Sequence, residues 1–417
     1  MNTTHHLTEK GQAIVFLVIG LVVFLGFVGL AIDGGRAYSD RRYAQNAADA
    51  AALAAAGTIA LELENRFVTY NAFDCNGPAV IASENVGVAA AISRAAANEY
   101  TITGPTSDWN GVEIDCGDRD YGYIEKLITV TVRIEDTTET AFAHLLFPSA
   151  LEIRTEAVAW VRPSQPLAFG NAIVALNPEG CQGHQNGAVF FGNEYTSIDG
   201  GGVWTNGCLR ADGSPKVDVF NGGVSYVGGT FGNMDIFNTT PVQMPYTLPP
   251  ESYQVPLPDC TGHWVDDTYL TNTAHHPLEG LYCLNGNLHI NAHDLVVGNG
   301  VTLYVPNGEV RINGNATVQL TAPAASPDPS PAIPGVVLYM PINHTHDIQI
   351  NGNSDSFWQG TILAPSTDIE VMGTGFIDAY RTQVIGWNVK VGGTADLYVT
   401  FQEQNLYSRP ASLELAR

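Results

Sequence analysis

The chain has 417 residues, 14% of them charged, with 43 glycines, 23 prolines and a formal net charge of −24. That length exceeds one ordinary core, and the glycine- and proline-dense composition argues for strands and turns over helical bundles. The acidity excludes a nucleic-acid partner, because a phosphate backbone would be repelled; it is concentrated in residues 163–408, which carry 21 carboxylates against 5 Lys or Arg.

Residues 13–32 form an unbroken apolar run that includes Ala13, Phe16, Leu21, Phe24, Leu30 and Ile32. As a helix rising about 1.5 Å per residue it spans about 30 Å, the hydrocarbon thickness of a bilayer. The apolar part of a signal peptide is shorter, about 7–15 residues, and leads into a small-x-small cleavage site. Here the run ends in Ile32-Asp33-Gly34-Gly35-Arg36. A retained membrane anchor with an extended helix is therefore expected over residues 1–66. Past the span, "RRYAQNAADAAALAAAGTIALELE" has no proline and keeps strong helix formers. Its small face, from Ala47 to Ala56, suits close packing against a partner helix in or near the membrane; a solvated stalk is the alternative.

Gly11-Gln12-Ala13, Gly29-Leu30-Ala31-Ile32-Asp33, Gly35-Arg36 and Gln45-Asn46-Ala47-Ala48-Asp49 together resemble the N-terminal signature of the TadE/TadG-like proteins of the Flp (tight-adherence) pilus system. Residues 127–161 resemble the strand–helix–strand segment that follows in such proteins. The resemblance implies a single-pass anchor in the cell membrane and an extracytoplasmic body. It also implies a role in pilus assembly or cell-surface attachment, with other pilus or secretion-apparatus proteins as partners through the N-terminal helix. Two departures limit it. Prepilin peptidase sites have Glu five residues after the scissile Gly, where Phe16 stands relative to Gly11, and the D-x-S-x-S metal motif of larger relatives does not occur.

A small α/β module is expected over residues 67–162. Residues 86–100 are alanine-rich and proline-free, a helix pattern. In residues 126–135, Ile128, Val130, Val132 and Ile134 alternate with Thr129, Thr131 and Arg133, the period of a half-buried strand. A short helix is expected over 138–147, behind the cap candidates Thr137 and Thr138, and a returning strand over 151–161. Two prolines in "RPSQP" open a linker, 163–169.

From residue 170 the texture becomes short apolar strands broken by Asn and Gly. "VTLYVPNGEVRINGN" recurs as "VVLYMPINHTHDIQINGN", then more weakly as "TILAPSTDIEVMGTG" and "QVIGWNVKVGGTADLYVTF". Ile312, Ile350, Val371 and Val391 fall at equivalent places, spaced 38, 21 and 20; a 14-residue proline-rich insertion accounts for the longer first interval. A strand-and-turn repeat of about 20–24 residues matches one coil of a parallel β-solenoid. The whole is an α+β chain: anchor helix, small module, a mainly parallel, right-handed β-helix-like head over 170–405, and a tail over 406–417. Asn313-Gly314 and Asn351-Gly352 are expected to supply positive φ at the coil corners. Residues 187–238 read as further coils, and the proline-rich 241–260 as an extended connector across the body or a partner-facing loop. A β-sandwich is the competing architecture and would need hairpin turns instead.

Cys75, Cys116, Cys181, Cys208, Cys260 and Cys283 include no C-x-x-C pair, so zinc ribbons and thioredoxin-like sites are unsupported. An even count behind an apolar segment reads as disulfides in an oxidising compartment. Six cysteines allow about 15 pairings; pairing sequence neighbours is expected because each pair then lies within one module. Six buried thiols are the alternative. The basic residues oppose this topology: Lys10 precedes the span while Arg36, Arg41 and Arg42 follow it, which by the positive-inside rule alone would put the body in the cytoplasm. The cysteines and the resemblance agree with each other, and an extracytoplasmic body is expected.

Enzyme chemistry would need carboxylates gathered on one face of the head, and Asp347, Asp368 and Glu370 lie near matching repeat positions. Corner acids on an acidic protein are ordinarily solvated, and no motif fixes a nucleophile or base, so no catalytic residue, cofactor or metal is expected. His344 and His346 could chelate a metal from one strand face, but no matched ligand set accompanies them. Trp204, Trp264, Trp358 and Trp387 are sugar platforms if exposed and core if not. The expected function is a non-enzymatic structural or adhesion protein with the bilayer as a partner. The alternative is a membrane-tethered β-helix protein that binds or cleaves a surface glycan.

Overall fold

The computed structural model describes residues 12–70, 72–120, 124–142, 150–181, 186–325, 328–344, 346–353, 355–373, 377–393 and 396–416. They form two compact units, Met1–Ser164 with Pro410–Arg417, and Gln165–Arg409. In chain order the second unit is an insertion into the first.

The first unit opens with one helix, α1 (Gln12–Asn65), 54 residues long. It contains no proline, so the backbone ladder passes from the apolar run into the alanine-rich stretch without a break. From Ala44 one face is buried at a three-to-four-residue spacing: Ala44, Ala47, Ala48, Ala51, Ala55, Ile59 and Leu63. These residues share a core with α2 (Pro78–Ala97) and with an antiparallel sheet. The sheet order is β1 (Gly111–Asp120), β2 (Ile124–Thr138), β3 (Leu151–Arg162) and a closing strand, Ser412–Ala416. The alanine face was expected to meet a partner helix. It is instead the core of its own unit, because side chains this small let α1 lie close against α2 and the sheet.

Ile128, Val130, Val132 and Ile134 are buried, as their alternation requires. α2 starts eight residues earlier than the alanine pattern suggests, with Pro78 in its first turn behind Gly77. Of the short helix expected over 138–147, residues 143–147 lie outside the described residues. Residues 406–417, expected as a tail, hold the strands Ser408–Arg409 and Ser412–Ala416.

The second unit is built mostly of parallel strands. Its eight-stranded sheet runs Gly229–Phe231, Cys208–Gly213, Ala188–Gly192, Val389–Gly393, Ile369–Gly373, Ile348–Gly352, Val310–Ile312, Leu288–Ile290. The four positions aligned by the repeat are consecutive register partners: Ile312 with Ile350, Ile350 with Val371, Val371 with Val391. The ladder extends beyond them, to Ile290 on one side and to Phe190 and Ala211 on the other. The strand at 188–192 therefore lies beside the strand at 389–393. The chain enters in the middle of the stack, builds one arm, crosses through the connector and returns from the opposite edge. Leu248, Tyr253 and Val255 of that connector are buried with Trp204, Tyr339 and Ile385.

The corner glycines differ from expectation. Positive φ does not fall on Asn313-Gly314 or Asn351-Gly352 but on Gly393, Gly192 and Gly213, at 139°, 98° and 97°. These three continue one register ladder with Gly352 and Gly373. Asn313 instead accepts the Asn315 N–H through its side chain at 3.1 Å, a turn that needs no left-handed backbone. A Cβ on Gly213 would lie 2.4 Å from the Gly192 carbonyl oxygen, so this corner excludes side chains.

Candidate functional site

Two regions carry the residues that sequence reasoning singled out. The first is α1. Phe16, Leu21, Phe24, Leu30 and Ile32 are exposed on a helix apolar all round, which is the pattern of a membrane span. Among the described residues it is the one helix long and apolar enough to cross a bilayer. The side chain of Ala13 lies outside the described residues.

The signature residues separate by role. Gly11 lies outside the described residues, and Gln12 begins the helix. Asp33, within the exposed stretch, is only 3% exposed; its two carboxylate oxygens accept the N–H groups of Ala141 and Phe142 at 2.8 and 2.9 Å. Two turns on, Asp40 accepts the Thr138 hydroxyl at 2.8 Å. Gln45 donates to Asp49 at 2.8 Å and to the Glu156 carbonyl of β3 at 3.1 Å. Gly35, Arg36 and Asn46 are exposed. Asp33, Asp40 and Gln45 thus fasten the helix to its own unit, a role that spacing alone does not reveal.

The second region is the acidic corner of the parallel sheet. Leu288, Val310, Ile348 and Ile369 donate their N–H groups to the carbonyls of Glu309, Asp347, Asp368 and Asn388, at 2.8, 3.1, 2.9 and 2.8 Å. Four equivalent corner positions are stacked in this way. A shallow cleft beside them is lined by Arg311, Asp347, Gln349, Asp368, Glu370 and Lys390. The structure therefore brings Asp347, Asp368 and Glu370 together, with Arg311 and Lys390 interleaved. Glu309 is held below the usual carboxylate range by His289, 2.9 Å away, and by Arg311. Burial pushes Asp368 up, and the neighbouring Asp347 adds to it, against the hydrogen bond from Asn388 at 2.7 Å. The Glu309 carboxylate is taken up by His289 and Arg311 and that of Asp368 by Asn388, and among the described residues no cluster of His, Cys, Asp or Glu could hold a metal.

His344 is buried, its Nε2 3.2 Å from the Gly308 N and its Nδ1 3.2 Å from the His346 N; burial lowers its pKa. Its nitrogens face backbone groups of its own unit. Trp204 and Trp358 are core, and Trp387 packs against the core around the connector. Trp264 is 47% exposed and lines an open cleft with His263, Asp266, Tyr269, Glu279 and Tyr282. Tyr269 stacks on His275 at 3.8 Å. Sequence reading missed Tyr269 and Tyr282, although Tyr282 stands next to Cys283 in the strand Leu278–Leu284.

Cys75–Cys116, Cys181–Cys208 and Cys260–Cys283 form disulfides, the neighbour pairing, and no cysteine is free. No curated protein and no solved structure matches the chain. A family model, that of the putative Flp pilus-assembly TadE/G-like (Tad) proteins, matches residues 11–58, which fall mostly on α1.

Proposed function

We propose that this chain is a single-pass, membrane-anchored structural or adhesion component of a Flp (Tad) type pilus assembly system, with its body outside the cytoplasm and no enzymatic role. The observation that carries the reading is the continuity of α1: a lipid-compatible stretch and a body-forming stretch are one helix bearing the Tad segment. Three disulfides in the body favour an oxidising compartment and outweigh the charge asymmetry around the span. The repeated parallel register favours a β-solenoid head, whose stacked coils make a stiff projection. Partners among the pilus-assembly proteins would meet the apolar stretch of α1, since its alanine face is already covered. Deleting the gene region for residues 12–35 while leaving the body intact, with a secretion signal supplied, tests this: surface attachment and co-purification of pilus-assembly proteins should be lost. Retention of both would refute the reading.

Exposed Trp264 favours a second reading, a glycan-binding head. A tryptophan face beside Tyr269, Asp266 and Glu279 offers stacking for a sugar ring and acceptors for its hydroxyls. The acidic surface would suit a neutral sugar over an anionic one. Trp264→Ala should abolish binding to neutral glycans in an array measurement; no binding by the wild type would remove this reading.

A further inference from the structure

We infer that Phe142 is a second lipid contact, a wedge of the body seated beside α1 inside the outer boundary of the bilayer and pinned there by Asp33 and Gly29. The inference rests on the proposal that α1 spans a membrane. Gly29, Asp33 and Asp40 stand four and seven residues apart, so they share one stripe of the helix. Along the apolar stretch from residue 14 to residue 35, the buried positions among the described residues are Gly29 and Asp33. The same short segment covers both. The Asp33 carboxylate holds the N–H groups of Ala141 and Phe142, and a Cβ added to Gly29 would lie 2.6 Å from the Phe142 Cβ and 2.8 Å from its Cγ. Phe142 therefore lies back along α1 from its own backbone anchor, at the level of Gly29, which is about 6 Å from Asp33 along the helix axis.

That level is within the apolar run, whose last residue is Ile32. Phe142 keeps 43% of its surface exposed, and Leu25 and Ile32, which stand on the Gly29 side of α1, are exposed too. The occupant continuous with those side chains is the acyl-chain boundary of the same bilayer. The polar chemistry agrees. Backbone outside a helix is tolerated at this depth only where its N–H groups are satisfied, and the N–H groups of Ala141 and Phe142 are taken by one carboxylate. That carboxylate is in turn shielded from lipid by the segment it holds, as an ionisable group near hydrocarbon must be. Tyr38 and Tyr43, exposed one to three turns beyond Asp33, fit the aromatic belt that marks the headgroup level.

The full chain, reconstituted in phosphatidylcholine vesicles, tests this with lipids brominated either near the headgroup or near the chain end. Phe142→Trp should add emission that shallow bromines quench more than deep ones, measured as the difference from wild type. Phe24→Trp, near the middle of the span, should be quenched most by deep bromines. Asp33→Ala in the Phe142→Trp background should lose the added quenching, and Asp33→Asn, which keeps one acceptor oxygen, should lose part of it. Unquenched Phe142→Trp with quenched Phe24→Trp overturns the wedge and leaves the span standing. Both unquenched overturns the span itself.

Discussion

The side-chain oxygen of Asn388 accepts the backbone N–H of Gly187 at 2.7 Å, across 201 residues of sequence. The same side chain donates to Asp368 at 2.7 Å and its oxygen also accepts from Asn177 at 3.0 Å. Asn388 thus ties the strand Val389–Gly393 to the strand Ala188–Gly192, at the seam where the two arms of the parallel sheet meet. Replacing it with Ala leaves the Gly187 N–H buried without that acceptor. Asn388→Ala should cost about 2–3 kcal/mol in urea unfolding of the second unit; a loss within error would mean the seam is held elsewhere.

Ile350 is fully buried between its register partners Ile312 and Val371. Truncating it removes apolar burial and opens a void that neighbouring strands fixed by their hydrogen bonds cannot fill. Ile350→Ala should destabilise by about 2–4 kcal/mol, whereas Arg311→Ala, on an outward position of the adjacent strand, should cost about 1 kcal/mol or less. Equal effects would contradict the inward assignment of the ladder.

Asp368 binds its proton more readily in the folded chain than in the unfolded one, because burial and then Asp347 raise its pKa. Its ionisation therefore opposes folding above the raised value, and the penalty fades as pH falls toward the ordinary value of 3.8. Asp368→Asn keeps an oxygen for the Asn388 amide and removes the charge. The variant should be more stable than wild type near neutral pH by about 1 kcal/mol or less, since the group is partly solvated, and indistinguishable in acid. A difference that grows on acidification would reverse the assignment.

Cys181–Cys208 closes a loop with a sequence separation of 27. Removing it with Cys181→Ala and Cys208→Ala should cost about 3 kcal/mol by loop entropy and lower the thermal midpoint of the second unit. Unchanged stability in the double variant would show that the bond does not restrain the unfolded chain.

The parts legible in the sequence were those whose signal is periodic. The unbroken apolar run announces α1, the Thr/Ile/Val alternation announces β2, and the recurrence of Ile312, Ile350, Val371 and Val391 announces one ladder. What stayed hidden was set by contacts far apart in the chain. β1 reads "GVEIDCGDRD", with little apolar alternation, because it is the sheet's edge and is tied by Cys75–Cys116. The closing strand Ser412–Ala416 belongs to a sheet begun about 300 residues earlier, at Gly111, and no local pattern records that. The Asn-Gly corners misled because an Asn side chain can close a turn without positive φ. The ladder through Gly393, Gly192 and Gly213 joins the two arms across strands about 200 residues apart in the chain, which no local pattern records. Asp33 looked like a signature letter; its two hydrogen bonds to residues 141 and 142 give that letter a physical task.

The orientation of the body can be read directly from its thiols. In spheroplasts with an intact inner membrane, a membrane-impermeant alkylating reagent should leave all six cysteines unlabelled until an impermeant reductant is added, and then label them without breaking the bilayer. Cysteines that are free from the start, and reached only after the membrane is permeabilised, would put the body in the cytoplasm and contradict the account.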